Sequence, residues 1–138
     1  MLKSPFRDTP FTPKLSYILA ALSIYDLEET KGEALWKHDP NNTEDREKII
    51  TDFVLKELMY LSYRHRYVLI SMLKSALATQ DFDFAKEFES DHDKYETMAW
   101  DETEIADPRG FFADIYRIAN EVWKDDLQKA TQEDPSTW

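Results

Sequence analysis

Between Glu57 and Asp81 the chain carries no acidic residue, although the protein as a whole has a formal net charge of −11. Inside that window residues 62–78 read Ser-Tyr-Arg-His-Arg-Tyr-Val-Leu-Ile-Ser-Met-Leu-Lys-Ser-Ala-Leu-Ala. Val68, Leu69, Met72, Leu73, Ala76 and Leu77 recur at spacings of three and four, and Tyr67 and Ile70 widen the apolar face. A helix that is apolar over most of its circumference needs other helices around it. The stretch therefore predicts an all-α, single-domain bundle of about five helices with 62–78 at its centre. A length of 138 residues suits one domain with a real core. Two glycines in the whole chain argue against a turn-rich β protein.

The neighbours follow in order. Residues 1–11, with Pro5 and Pro10, are expected to form an irregular arm pinned by Phe6 and Phe11. Thr12-Pro13 is a helix start. Leu15, Ile18, Leu19, Leu22 and Tyr25 then predict a helix over 13–29, closed by a left-handed Gly32. A loop with Leu35 and Trp36 folded inward leads to a second helix from Thr43, where Glu44, Asp45 and Glu47 suit the positive end of its dipole. A break near Ser62, as a new N-cap, separates it from the central helix. A further helix is expected over 82–98, with Phe84, Ala85, Phe88 and Tyr95 on one face. Asp107-Pro108 opens the last one, whose stripe is Phe112, Ile115, Tyr116, Ala119, Val122, Trp123 and Leu127. Residues 131–138 are expected to fray.

The charge is unevenly placed. Residues 81–107 hold eleven carboxylates against Lys86 and Lys94, a net −9 of the −11. Concentration of this kind costs stability through self-repulsion, and it opposes direct contact with nucleic-acid phosphates. Aromatic rings are set among the acids. Carboxylates steer a basic partner and large rings anchor it. The expected partner-binding residues are therefore Asp83, Glu87, Asp91, Asp93, Tyr95, Glu96, Trp100, Asp101, Glu102 and Glu104. Phe82, Tyr95 and Trp100 are the ring candidates for the interface, and Phe84 and Phe88 belong to the core.

Other patterns point less far. Glu89-Ser-Asp-His92 has the Glu-x-x-His spacing of helical di-iron sites, but no second pair accompanies it. His38-Asp39 matches the doublet of HD-type phosphohydrolases, whereas Asp39-Pro40-Asn41 also reads as a plain turn. Arg64-His65-Arg66 could grip an anion at the start of the central helix, or pair with acidic surface nearby. There is no nucleophile motif and no glycine-rich phosphate loop. The absence of cysteine excludes disulfides and thiolate metal sites. No cofactor is expected, and no catalytic residues.

In general type, over its whole length, the chain resembles the immunity proteins of bacterial toxin systems such as contact-dependent growth inhibition. These are small and acidic, and each binds one cognate toxin, frequently a basic nuclease. The resemblance implies a non-catalytic cytoplasmic inhibitor that blocks its toxin's active cleft. It carries no individual residue across. Without a signal-peptide-like run at its start or 18 consecutive apolar residues anywhere, a cytoplasmic protein with no membrane partner is expected. The rival readings are a DNA-mimicking anti-defence protein of phage or plasmid origin and a helical metal-dependent enzyme. A mimic would space its acids along an elongated body like the phosphates of a duplex.

Overall fold

Ser62 breaks the chain where a cap was expected. Leu61 turns extended at ψ 149°, and the Ser62 hydroxyl accepts the His65 backbone N–H at 3.3 Å. The computed structural model describes residues 1–94 and 96–138, and of His92 the backbone alone. Among the described residues there are six α-helices and no strand: α1 (Leu15–Ile18), α2 (Glu33–Leu35), α3 (Thr43–Ile49), α4 (Tyr63–Ala78), α5 (Pro108–Val122) and α6 (Lys124–Thr131). The protein is an all-α bundle around α4, which packs against α1, α5 and α6 and buries Leu69, Ile70, Leu73 and Ala76.

The other starts follow local chemistry. Asn42 caps α3 by accepting the Asp45 N–H at 3.1 Å. The rod then continues through a π-wound stretch, Ile50–Leu55, to a 3-10 turn, Leu58–Tyr60. Asp107 caps α5 through the Gly110 N–H at 3.0 Å, with Pro108 in the first turn. A Cβ added at Gly110 would meet the capping carboxylate of Asp107, which would have to shift. The chain kinks at Trp123 before α6, so the expected last helix is two, and Val122 faces outward.

Five expectations are corrected. The helix over 13–29 shrinks to α1 and a 3-10 turn, Ala20–Leu22. Residues 97–99 take the backbone groups that would have continued it: Ile24 N–H donates to the Thr97 carbonyl at 2.7 Å, and Ala99 N–H to the Leu22 carbonyl at 2.8 Å. Asp26, not Gly32, adopts the left-handed conformation, at φ 57°. The helix over 82–98 is absent too. Two 3-10 turns, Ala85–Phe88 and His92–Lys94, and an Asp91–Glu96 bridge replace it. A helix there would stack Asp83, Glu87 and Asp91 four residues apart, each pair costing about 0.2–0.5 kcal/mol. The expected tail is tied down: Asp134 caps a 3-10 turn, Pro135–Thr137, and Trp138 is buried edge-on to Tyr67 at 5.9 Å. Finally, Trp36 lies half outside, its Nε1–H donating to the Ala99 carbonyl at 2.9 Å.

The arm is a closed loop. Ser4 N–H donates to the Thr9 carbonyl at 2.8 Å, and Phe11 N–H to the Leu2 carbonyl at 2.9 Å. Lys3 and Asp8 form an ion pair across it. His65 holds the loop to α4: Nε2 lies 2.6 Å from the Lys3 carbonyl and Nδ1 2.6 Å from the Ser62 hydroxyl. A carbonyl only accepts, so Nε2 carries the proton of that bond.

Candidate protein-docking surface

Residues 81–107 form a strap across the core. Phe84, Phe88, Ala99, Trp100 and Ile105 turn inward and are buried. Phe84 lies 5.0 Å from Phe112, and Phe88 lies 5.4 Å from Phe111 and 5.7 Å from Phe112. These rings hold the strap by apolar burial. A cation completes the attachment. The Arg109 guanidinium donates to the carbonyls of Leu77 (3.0 Å), Thr79 (2.8 Å) and Gln80 (3.0 Å), and its carbon sits 4.9 Å from the centre of the Phe84 ring. It thus ties the end of α4 to the start of the strap.

The acids face the other way. Asp83, Asp93, Glu96 and Glu104 are exposed, and Glu87, Asp91, Asp101 and Glu102 are half-buried. One of the expected ring anchors is corrected: Trp100 is 7% exposed and belongs to the core, whereas Phe82 is half-buried, 4.7 Å from Phe84. The third, Tyr95, lies outside the described residues. The acids fall into two groups. Asp101 accepts the Thr103 N–H and hydroxyl, which hold its carboxyl below the ordinary aspartate range, and Glu104 accepts the Asp101 N–H at 3.1 Å. That pair is occupied in shaping its own turn, which Asn41 clamps through the Glu104 carbonyl and the Ala106 N–H, both at 2.9 Å.

Glu87, Glu89, Asp91 and Glu96 instead line one groove of about 770 Å³ together with Lys86 and Lys94, and its other wall includes Lys14 and Tyr17. Burial pushes the Glu87 carboxyl up; Lys86 opposes this, and Asp83 and Glu96 add to it. The ionised form is therefore disfavoured in the folded protein. Its contribution to stability is full below the ordinary glutamate range and is lost as pH rises through the raised value. Glu87→Gln is expected to raise the melting temperature at pH 7 by about 1–2 °C, a modest figure because the group is half exposed. The gain should vanish at about pH 3.5. Melts at the two pH values check this, and an equal gain at both would show that charge is not its cause.

Lys14, Lys86 and Lys94 offset part of the charge in that groove. Among the described residues only Lys94 pairs with an acid of the strap, Asp91, at 3.9 Å. Four of the six arginines pair with acids elsewhere: Arg46 with Asp114 (3.3 Å), Arg64 with Glu133 (3.0 Å), Arg66 with Asp126 (3.0 Å) and Arg117 with Glu47 (3.1 Å). The Arg64-His65-Arg66 run is thus structural, pairing with the C-terminal end of the chain and with the arm. Arg66 is only 5% exposed, with its guanidinium 5.0 Å from the centre of the Trp123 ring.

The remaining motifs resolve as local structure. Asp39 accepts the Asn41 N–H at 2.9 Å, and its carbonyl takes the Asn42 N–H at 3.1 Å, so residues 39–42 are a turn. The His38 ring stands edge-on to Phe53 at 6.0 Å. The His92 side chain of the Glu89/His92 pair lies outside what is described, and among the described residues no three His, Asp or Glu side chains gather as a metal set. No described helix is long and apolar enough to cross a membrane. Arg109, Lys14 and Tyr17 escaped the sequence reading. A signal existed for the first: a cation in the first turn of a helix opposes the dipole unless something else holds it. No family model, no curated protein and no solved structure matches the chain.

Proposed function

We propose that this chain is a non-catalytic binding protein that neutralises a basic protein partner through the outer face of residues 81–107. One observation carries the reading: most of the net charge sits on a strap whose inner face is fixed to the core. The charge does not pair with the protein's own arginines, and the backbone bearing it is held by Phe84, Phe88 and Arg109. A preorganised charged surface meets a partner without a large ordering cost. The partner class this favours is a toxin domain of nuclease type, whose basic cleft the acids would fill in place of substrate phosphates. That is the role implied by the likeness to immunity proteins.

The test replaces charge and keeps shape. Asp91→Asn, Asp93→Asn and Glu96→Gln together retain the oxygen of Asp91 that accepts the Asp93 N–H. With the basic partner captured from the native cell, the triple variant is expected to associate about tenfold more slowly at low salt, with a nearly unchanged dissociation rate. The wild-type association rate should fall steeply as salt rises, and the variant's should not. Equal association by both proteins at low and high salt would reduce the acids to a solubility face.

A further inference from the structure

Two π-wound stretches of backbone, Glu28–Gly32 and Ile50–Leu55, line one groove of about 530 Å³. Winding of this kind is rare and occurs frequently at functional sites. Lys31 comes from the first stretch, Asp52 and Phe53 from the second, and Lys56 and Glu57 from just beyond it. The two lysines differ in setting. Lys56 is exposed. Lys31 is half-buried, and its Nζ donates to the Ala20 carbonyl at 3.3 Å. That bond fixes the end of an otherwise flexible side chain in the groove. Burial holds the Lys31 ammonium below the ordinary lysine range, and the Glu57 carboxylate opposes that shift. A desolvated lysine amine is a nucleophile, whereas a fully hydrated ammonium is not.

We propose that Lys31 is an acylation site, a reactive amine that takes an activated acyl group from a small thioester or acyl phosphate entering this groove. The site is independent of the binding role proposed above. In the reaction the neutral amine attacks the acyl carbonyl carbon. A carbon–nitrogen bond forms, and the carbon–sulfur or carbon–oxygen bond breaks. The thiolate or phosphate leaves with the electron pair, and the surplus proton on nitrogen passes to it or to water. Asp52 and Glu57 are carboxylates of the same groove and can relay that proton. Nothing is oxidised or reduced. The fold also suits the product. An amide at Nζ keeps one N–H for the Ala20 carbonyl, and it carries no charge that burial would penalise. Lys56, being exposed, has no such penalty to relieve. Acylation removes one of the two cations that the groove sets against Asp52 and Glu57.

Site-resolved acetylation tests the assignment. The full chain is treated at neutral pH with acetyl phosphate and, separately, with S-acetyl-N-acetylcysteamine, and the rate at each lysine is followed by peptide mass spectrometry. Lys31 should be acetylated about tenfold faster than Lys56, which shares its groove and serves as the internal reference. A lead with only one of the reagents would assign the donor to that class. In guanidinium chloride the two lysines should react alike, because the lead comes from the fold. Lys31→Arg, which keeps the charge, should remove one fast equivalent of acetyl uptake and leave the rate at Lys56 unchanged. A rate at Lys31 no greater than that at Lys56 with both reagents would overturn the proposal. A lead that persists in the unfolded chain would overturn it as well, since the groove would then have no part in it.

Discussion

Leu73→Ala is expected to lower the unfolding free energy by about 2–5 kcal/mol, measured by chemical denaturation. Leu73 is 0% exposed and sits in α4, which meets α1, α5 and α6, so neighbours on several sides would have to move to refill the space. Of these, α5 and α6 are anchored independently, by the cap at Asp107 and by the kink at Trp123. Collapse around the missing carbons should therefore be incomplete, and the cost should fall in the upper half of that range. Against a total of about 5–15 kcal/mol for a domain of this kind, such a loss is a large fraction. An unchanged denaturation midpoint would remove α4 from the centre of the bundle.

Arg109→Ala should cost about 2–4 kcal/mol, with a pattern that no core truncation would reproduce. Hydrogen bonds from a charged donor contribute about 1.5–3 kcal/mol each. Water re-solvates part of what is lost, because Thr79 and Gln80 are exposed. The contact with Phe84 goes at the same time. Hydrogen exchange should speed first and most across residues 79–90, while α5 beyond its first turn stays protected. Arg109→Lys should not rescue the effect, since one ammonium cannot reproduce a fork that spans three carbonyls. Uniformly faster exchange over the whole chain would show that Arg109 contributes only general stability.

Helix boundaries set by adjacent residues could be read from the sequence. Ser62, Asp107 and the Asn42-Thr43 start lie within a few positions of the backbone groups they satisfy, and each is where the pattern placed it. The core of α4 was legible for the same reason: its apolar period is long and has no competing explanation. The first helix was not, because what ends it lies more than seventy residues away, at Thr97 and Ala99. Leu15, Ile18, Leu19 and Leu22 are all buried, but through one short α-helix and a 3-10 turn. In the strap, Phe84 and Phe88 are four apart and both buried, which a 3-10 turn satisfies as well as a helix would. The acids of the proposed surface were therefore found, but their backbone was not. Whether an isolated ring such as Trp100 or Phe6 faces in or out depends on contacts that no local spacing encodes.

The strap also divides its labour by side. Phe84, Phe88, Trp100 and Ile105 attach it, and Asp83, Glu89, Asp93 and Glu96 are exposed. Substitutions at such outward positions usually change stability by no more than about 0.5 kcal/mol. The outward residues can accordingly be rewritten one at a time, in charge or in size, without the chain ever leaving its folded state. What holds the outward positions to their charge is therefore the proposed partner and not the interior, so a change of partner could be met on this face without rebuilding the core.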